Sequence, residues 1–168
     1  MTDDTSAGGA VLEQVIELIR NELTAVCGEN GFHQWSDNAF LRVEGGAVLL
    51  IVATPVEEDA VVNVRCYLVR DVERPDPDLG DFLARLNAER LFGAFSIDED
   101  GDVCYDYSIL GSSLTPAALH LAIQAVAEAS AAHAPEIIAR WGGISSIDKL
   151  RQEIDELPAD DEDEGSPN

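Results

Sequence analysis

From Val11 onward the apolar residues Leu12, Val15, Ile16, Leu18, Ile19, Leu23 and Val26 recur at i, i+3, i+4 and i+7, the period of a helix with one apolar stripe. Gly28 and Gly31 mark its end. The period then shortens to that of strands. Four runs, residues 32–35, 39–43, 47–53 and 60–69, are separated by Asp37-Asn38, Gly45-Gly46 and an acidic loop at 57–59. Connections this short fold neighbouring strands into antiparallel hairpins.

The helical period returns at residues 74–93, RPDPDLGDFLARLNAERLFG, with Leu79, Phe82, Leu83, Leu86 and Leu91 as its apolar side. Prolines open it, and Asp78 and Asp81 suit the positive end of the helix dipole. Gly93 closes it. Two further strands, 94–98 and 102–110, flank Glu99-Asp100-Gly101, and a D-G pair between alternating runs is a strong hairpin signal. A third helix begins at Thr115, which is placed to cap it, with Pro116 at the first helical position and Leu114 able to staple onto Leu119. It is alanine-rich through Ala132, predicts a kink or break near Pro135, and stops after Trp141 at Gly142-Gly143. The order is α, three or four β, α, β-β, α, an α+β fold on an antiparallel sheet.

Both ends of the chain read differently from the middle. Residues 1–9 have no apolar period and are expected to be disordered, leaving a folded domain over 10–143. Residues 144–157 carry Ile147, Leu150, Ile154 and Leu157 at 3-4-3 spacing, a short amphipathic segment that docks on its own domain or on a neighbour. Residues 155–168 hold seven acids and no base, so 158–168 is expected to be a solvated, disordered tail.

At 168 residues one core can be built without disulfides. Apolar residues never form the run of ~20 that a membrane span needs, and the start MTDDTSAGGA lacks the regions of a signal peptide, so a cytoplasmic protein is expected. Cys27, Cys66 and Cys104 are too widely spaced for a metal site and are expected to be reduced and structural. The net charge of −23, with ten basic residues scattered singly, repels a phosphate backbone and argues against nucleic acid as partner.

The chemistry is mostly a set of exclusions. Lys149 is the only lysine and lies beyond the folded pattern, which removes a P-loop or Schiff-base lysine from the domain. No G-x-G-x-x-G follows a strand, and Ser112 and Ser113 in LGSSL miss the spacing of a nucleophile elbow. His120 and His133 are thirteen residues apart on one helix, about 140° around its axis, and His33 is remote from both. The acidic turn DEDGD fails as a calcium loop: with Gly101 at position 6, position 12 is Tyr107. No catalytic, cofactor-binding or metal-binding residues are assigned, and the protein is expected not to be an enzyme.

What remains is how the strands divide their faces. Val62, Val64, Cys66 and Leu68 alternate with Asn63, Arg65 and Tyr67, and Val103, Tyr105, Tyr107 and Ile109 alternate with Cys104, Asp106 and Ser108. Phe95 and Ile97 fit the core face. The opposite face should present Asn63, Arg65, Tyr67, Ser96, Asp106 and Ser108, hydrogen-bonding groups around one aromatic anchor and thus a candidate peptide-binding surface.

The stretch LNAERLFGAFSIDEDGDVCYDYSILGSSLTPAALHLAI resembles the YbjN family, which is similar in fold to type III secretion chaperones. The resemblance rests on Leu86-Asn87, Phe92-Gly93, Phe95, Ile97-Asp98, Gly101, Leu110, Leu114, Leu119 and Trp141-Gly142-Gly143, and covers residues 10–143. It implies a secretion-chaperone-like fold with helices mainly on one face of the sheet, no cofactor, and binding of peptide segments from client proteins. A chaperone or adaptor is therefore expected, with a homodimer allowed. The alternative is a regulatory or scaffolding domain that acts through self-association or attachment to a larger complex.

Overall fold

A computed structural model describes residues 5–156. Helix α1 spans Thr5–Cys27, and four antiparallel strands follow: β1 (His33–Ser36), β2 (Ala39–Glu44), β3 (Ala47–Val56) and β4 (Asp59–Arg70). Helix α2 (Pro77–Ala88) leads to the hairpin β5 (Ala94–Ile97) and β6 (Val103–Leu110), then to α3 (Pro116–Trp141), the two-residue β7 (Ile144–Ser145) and α4 (Ser146–Asp155). The seven-stranded sheet has the order β1-β2-β3-β4-β6-β5, and β7 pairs with β4. This is the expected α+β architecture, and the fourth strand of the first run is present.

Local chemistry explains the turns and caps. Gly45 and Gly46 both take positive φ, 57° and 82°, as a tight β2–β3 hairpin requires. The Thr115 hydroxyl accepts from the Ala118 amide at 3.1 Å with Pro116 at the first position of α3, while Leu114 and Leu119 are both buried beneath. Asp76 caps α2 in the same way, taking the Leu79 amide at 3.1 Å. The same carboxylate oxygen receives the Trp141 indole N–H at 3.0 Å, which ties the start of α2 to the end of α3.

One face of the sheet, called the inner face, carries Phe40, Leu49, Ile51, Val62, Val64, Leu68, Phe95 and Tyr105. Helices α1, α2 and α3 cover it with Ile19, Leu23, Leu79, Leu119, Val126 and Ile137, forming one core. Each fully buried leucine or isoleucine there contributes about 1.5–3 kcal/mol. Ala122 and Ala129 of α3 are fully buried and let that helix lie close to the sheet.

Four details differ from expectation. Helix α1 starts at Thr5, so part of the start expected to be disordered is helical. Gly8 is buried where a Cβ would lie 2.4 Å from the Glu57 carbonyl oxygen, and its lack of a side chain lets the first turns dock on the β3–β4 connection. Helix α3 runs unbroken through Pro135. Pro135 and Ala131 are both exposed, so water can reach the carbonyl that the proline leaves unpaired. Helix α2 ends at Ala88, and Leu91, expected on its apolar side, is 92% exposed. The Asn87 side chain there captures the backbone of Phe95, accepting its N–H at 2.7 Å and donating to its carbonyl at 3.0 Å, and so turns the chain into β5. The segment after Trp141 pairs as β7 with Val69 and Arg70 of β4, beyond the point where β3 pairing stops at Leu49 and Cys66. The chain leaves the helical layer through that gap. Leu157 and the acidic stretch 158–168 lie outside the described residues.

Candidate functional site

Among the described residues, α4 alone lies on the face of the sheet opposite the core. The register sets its rows: Asn63 stands opposite Ser108, Arg65 opposite Asp106, and both Tyr67 and Ser96 flank Cys104. All six residues expected on this face therefore lie on it. The structure joins four of them as cross-strand pairs. The Asn63 amide donates to the Ser108 hydroxyl at 3.0 Å, and Arg65 Nε donates to Asp106 Oδ1 at 2.6 Å. The Asp106 hydrogen bond raises the Arg65 pKa. Ser96 is exposed, one strand beyond these pairs.

Tyr67 is the centre of the polar half. Its ring is half-buried between two guanidinium groups, with Arg65 at 5.6 Å and Arg70 at 5.5 Å from the ring centroid. Arg70 is held in turn by Asp102, whose Oδ2 accepts from Nε at 2.7 Å while Oδ1 accepts the Asp71 amide at 2.9 Å. These contacts hold the Tyr67 side chain, which remains partly exposed. Cys104, although on this face, is fully buried; desolvation and then the Asp98 carboxylate push its thiol pKa up to about 12.

The other half of the face is apolar, a feature that the alternation within β4 and β6 does not reveal. Val48, Leu50 and Val52 of β3 stand beside Leu41 and Val43 of β2, and all are incompletely buried. Trp35 at the sheet edge is 69% exposed. The signal was in the run AVLLIVA, which has no polar phase: Ala47, Leu49, Ile51 and Ala53 face the core, so Val48, Leu50 and Val52 make the opposite face apolar too. Helix α4 sits over this half, and Leu150 joins Trp35, Leu41 and Leu50 in lining a groove of about 490 Å³. Along its length the groove passes Tyr67 and reaches Asp98 and Asp100 at the β5–β6 turn.

Among the described residues no group of three His, Cys, Asp or Glu side chains is placed to hold a metal ion. Nor is any described helix long and apolar enough to cross a membrane. The three cysteines are free thiols.

An antiparallel sheet with three helices against one face and, among the described residues, only α4 on the other places the protein in the class of secretion-chaperone-like α+β domains. Residues 13–149, which take in all seven strands, match the TY-Chap1 family, described as "T3SS (YopN, CesT) and YbjN peptide-binding chaperone 1". The chain belongs to that family. No curated protein matches it.

Proposed function

We propose that this domain binds extended segments of client proteins on the face of its sheet opposite the core, in the groove beside α4, acting as a chaperone or adaptor without catalysis of its own. One observation carries the reading: a continuous surface joins the apolar floor of Leu41, Leu50 and Val52 to Tyr67 held between Arg65 and Arg70. Apolar floor supplies non-directional affinity, and fixed tyrosine and arginine side chains are the groups most often found as hot spots. Contiguous incompletely buried apolar residues on a sheet face are also what a soluble domain avoids unless they serve a partner. The family description, which names peptide binding, supports the same use.

The test is titration of the full chain with fluorescent unstructured peptides of varied composition. Tyr67→Ala and Arg65→Ala should each weaken binding by about 1–2 kcal/mol while the circular dichroism spectrum is retained. Unchanged affinity in both variants would remove this face from the binding surface. Loss of a dimer in both variants, with peptide affinity intact, would favour the self-association reading.

A further inference from the structure

On the reading just given, we propose that the segments this domain takes are apolar at one end and basic at the other. Aliphatic or aromatic side chains would fill the groove beneath α4, and arginine or lysine side chains would reach its acidic end at the β5–β6 turn.

The two ends of the groove differ in chemistry. At one end Trp35, Leu41, Leu50 and Leu150 offer no charge. At the other, four carboxylates, Asp98, Asp100, Asp102 and Glu153, face two cations, Arg70 and Lys149. Those cations are already engaged. Arg70 pairs with Asp102 at 2.7 Å and with Glu153 at 3.8 Å, and Lys149 pairs with Asp71 at 2.7 Å. Asp98 receives the Asp100 and Asp102 amides at 3.0 and 2.9 Å, and neither Asp98 nor Asp100 has an ion-pair partner among the described residues. The acidic end thus keeps a net negative charge beside an apolar wall, which strengthens its field toward a cation. The whole chain, at −23, reinforces that sign and repels an acidic segment, a second copy of this chain included.

The spacing follows from the sheet. From β2 to β5 there are four strand intervals of about 4.8 Å, or about 19 Å, which an extended chain at about 3.3 Å per residue crosses in about six residues. The apolar and basic ends of a fitting segment are separated by roughly that distance.

The experiment uses the full chain and fluorescent decapeptides in which a Leu-Val-Leu block is joined by a Gly-Ser spacer to Arg-Arg, Ser-Ser or Glu-Glu, read by anisotropy at low and moderate salt. The arginine peptide should bind at least about tenfold tighter than the glutamate peptide, with serine between them and the gap narrowing as salt rises. Asp100→Asn with Glu153→Gln should narrow the gap in the same way. Trp35→Ala should weaken all three peptides alike. Equal affinity for the arginine and glutamate peptides overturns the charge preference but leaves peptide binding on this face standing. Unchanged affinities in Trp35→Ala overturn the groove as the apolar site. Failure of all three peptides to bind, with sedimentation showing a dimer that Trp35→Ala dissociates, gives the groove to a second copy and overturns both readings.

Discussion

The Ser146 hydroxyl accepts a hydrogen bond from the Val48 amide at 3.1 Å, joining residues 98 apart in sequence. It does so where β3 and β4 part and the chain crosses from the helical layer to the open face. Cys66 Sγ lies 3.7 Å from the same oxygen. This contact anchors the first turn of α4 and so sets the wall of the groove.

Ser146→Ala removes the acceptor and leaves the Val48 amide without its partner, at a cost of about 1–2 kcal/mol. A urea midpoint lowered accordingly, with faster amide exchange in α4 than in α3, is the expected result. Unaltered exchange in α4 would mean that the helix is held by other contacts.

The fold was legible where polar and apolar residues alternate strictly, as in β4 and β6, because period two assigns each side chain to a face. Turn chemistry at Gly45-Gly46 and the Thr115-Pro116 cap placed elements for the same local reason. The apolar half of the open face was not legible, since AVLLIVA reads as one buried run whichever side is exposed. Nor could β7 be foreseen: two residues carry no period, and their pairing depends on the gap left where β3 ends. The continuity of α3 at Pro135 rests on tertiary packing and on exposure of the freed carbonyl, neither of which a local pattern records.

His133 supplies a pH response. Burial, followed by the positive charge of Arg90, lowers its pKa below the ordinary 6.5. Arg90 also hydrogen-bonds to its Nε2, and Phe95 packs edge-on against the ring. The unfolded chain therefore binds a proton at a higher pH than the folded one. Its contribution is fully present above about 6.5 and is lost as pH falls from there toward the folded value. Thermal midpoints of the native protein should fall more steeply between pH 7 and 5.5 than those of His133→Gln. Parallel curves would mean that His133 contributes nothing to the pH dependence of stability. The lowered carboxylates Asp59 and Asp71 act in a separate window, because their stabilisation is lost only as pH falls below about 4.

The cysteines should separate by reactivity. Burial raises the thiol pKa of Cys66 and Cys104, whereas Cys27, at the end of α1, is partly exposed. A bulky maleimide should modify Cys27 first, with Cys66 and Cys104 reacting only on unfolding. Fast modification of all three under native conditions, followed by mass spectrometry, would contradict this.

Client binding on the open face is tested most directly by mapping amide chemical shifts of the isotopically labelled protein during titration with the apolar, arginine-bearing decapeptide. The largest changes should fall on Leu41, Leu50, Arg65 and Tyr67 and on the groove side of α4, while α1 and the outer surface of α3 around Leu121 stay still. Changes concentrated on α1 and α3, with β2, β3 and β4 unperturbed, would contradict it.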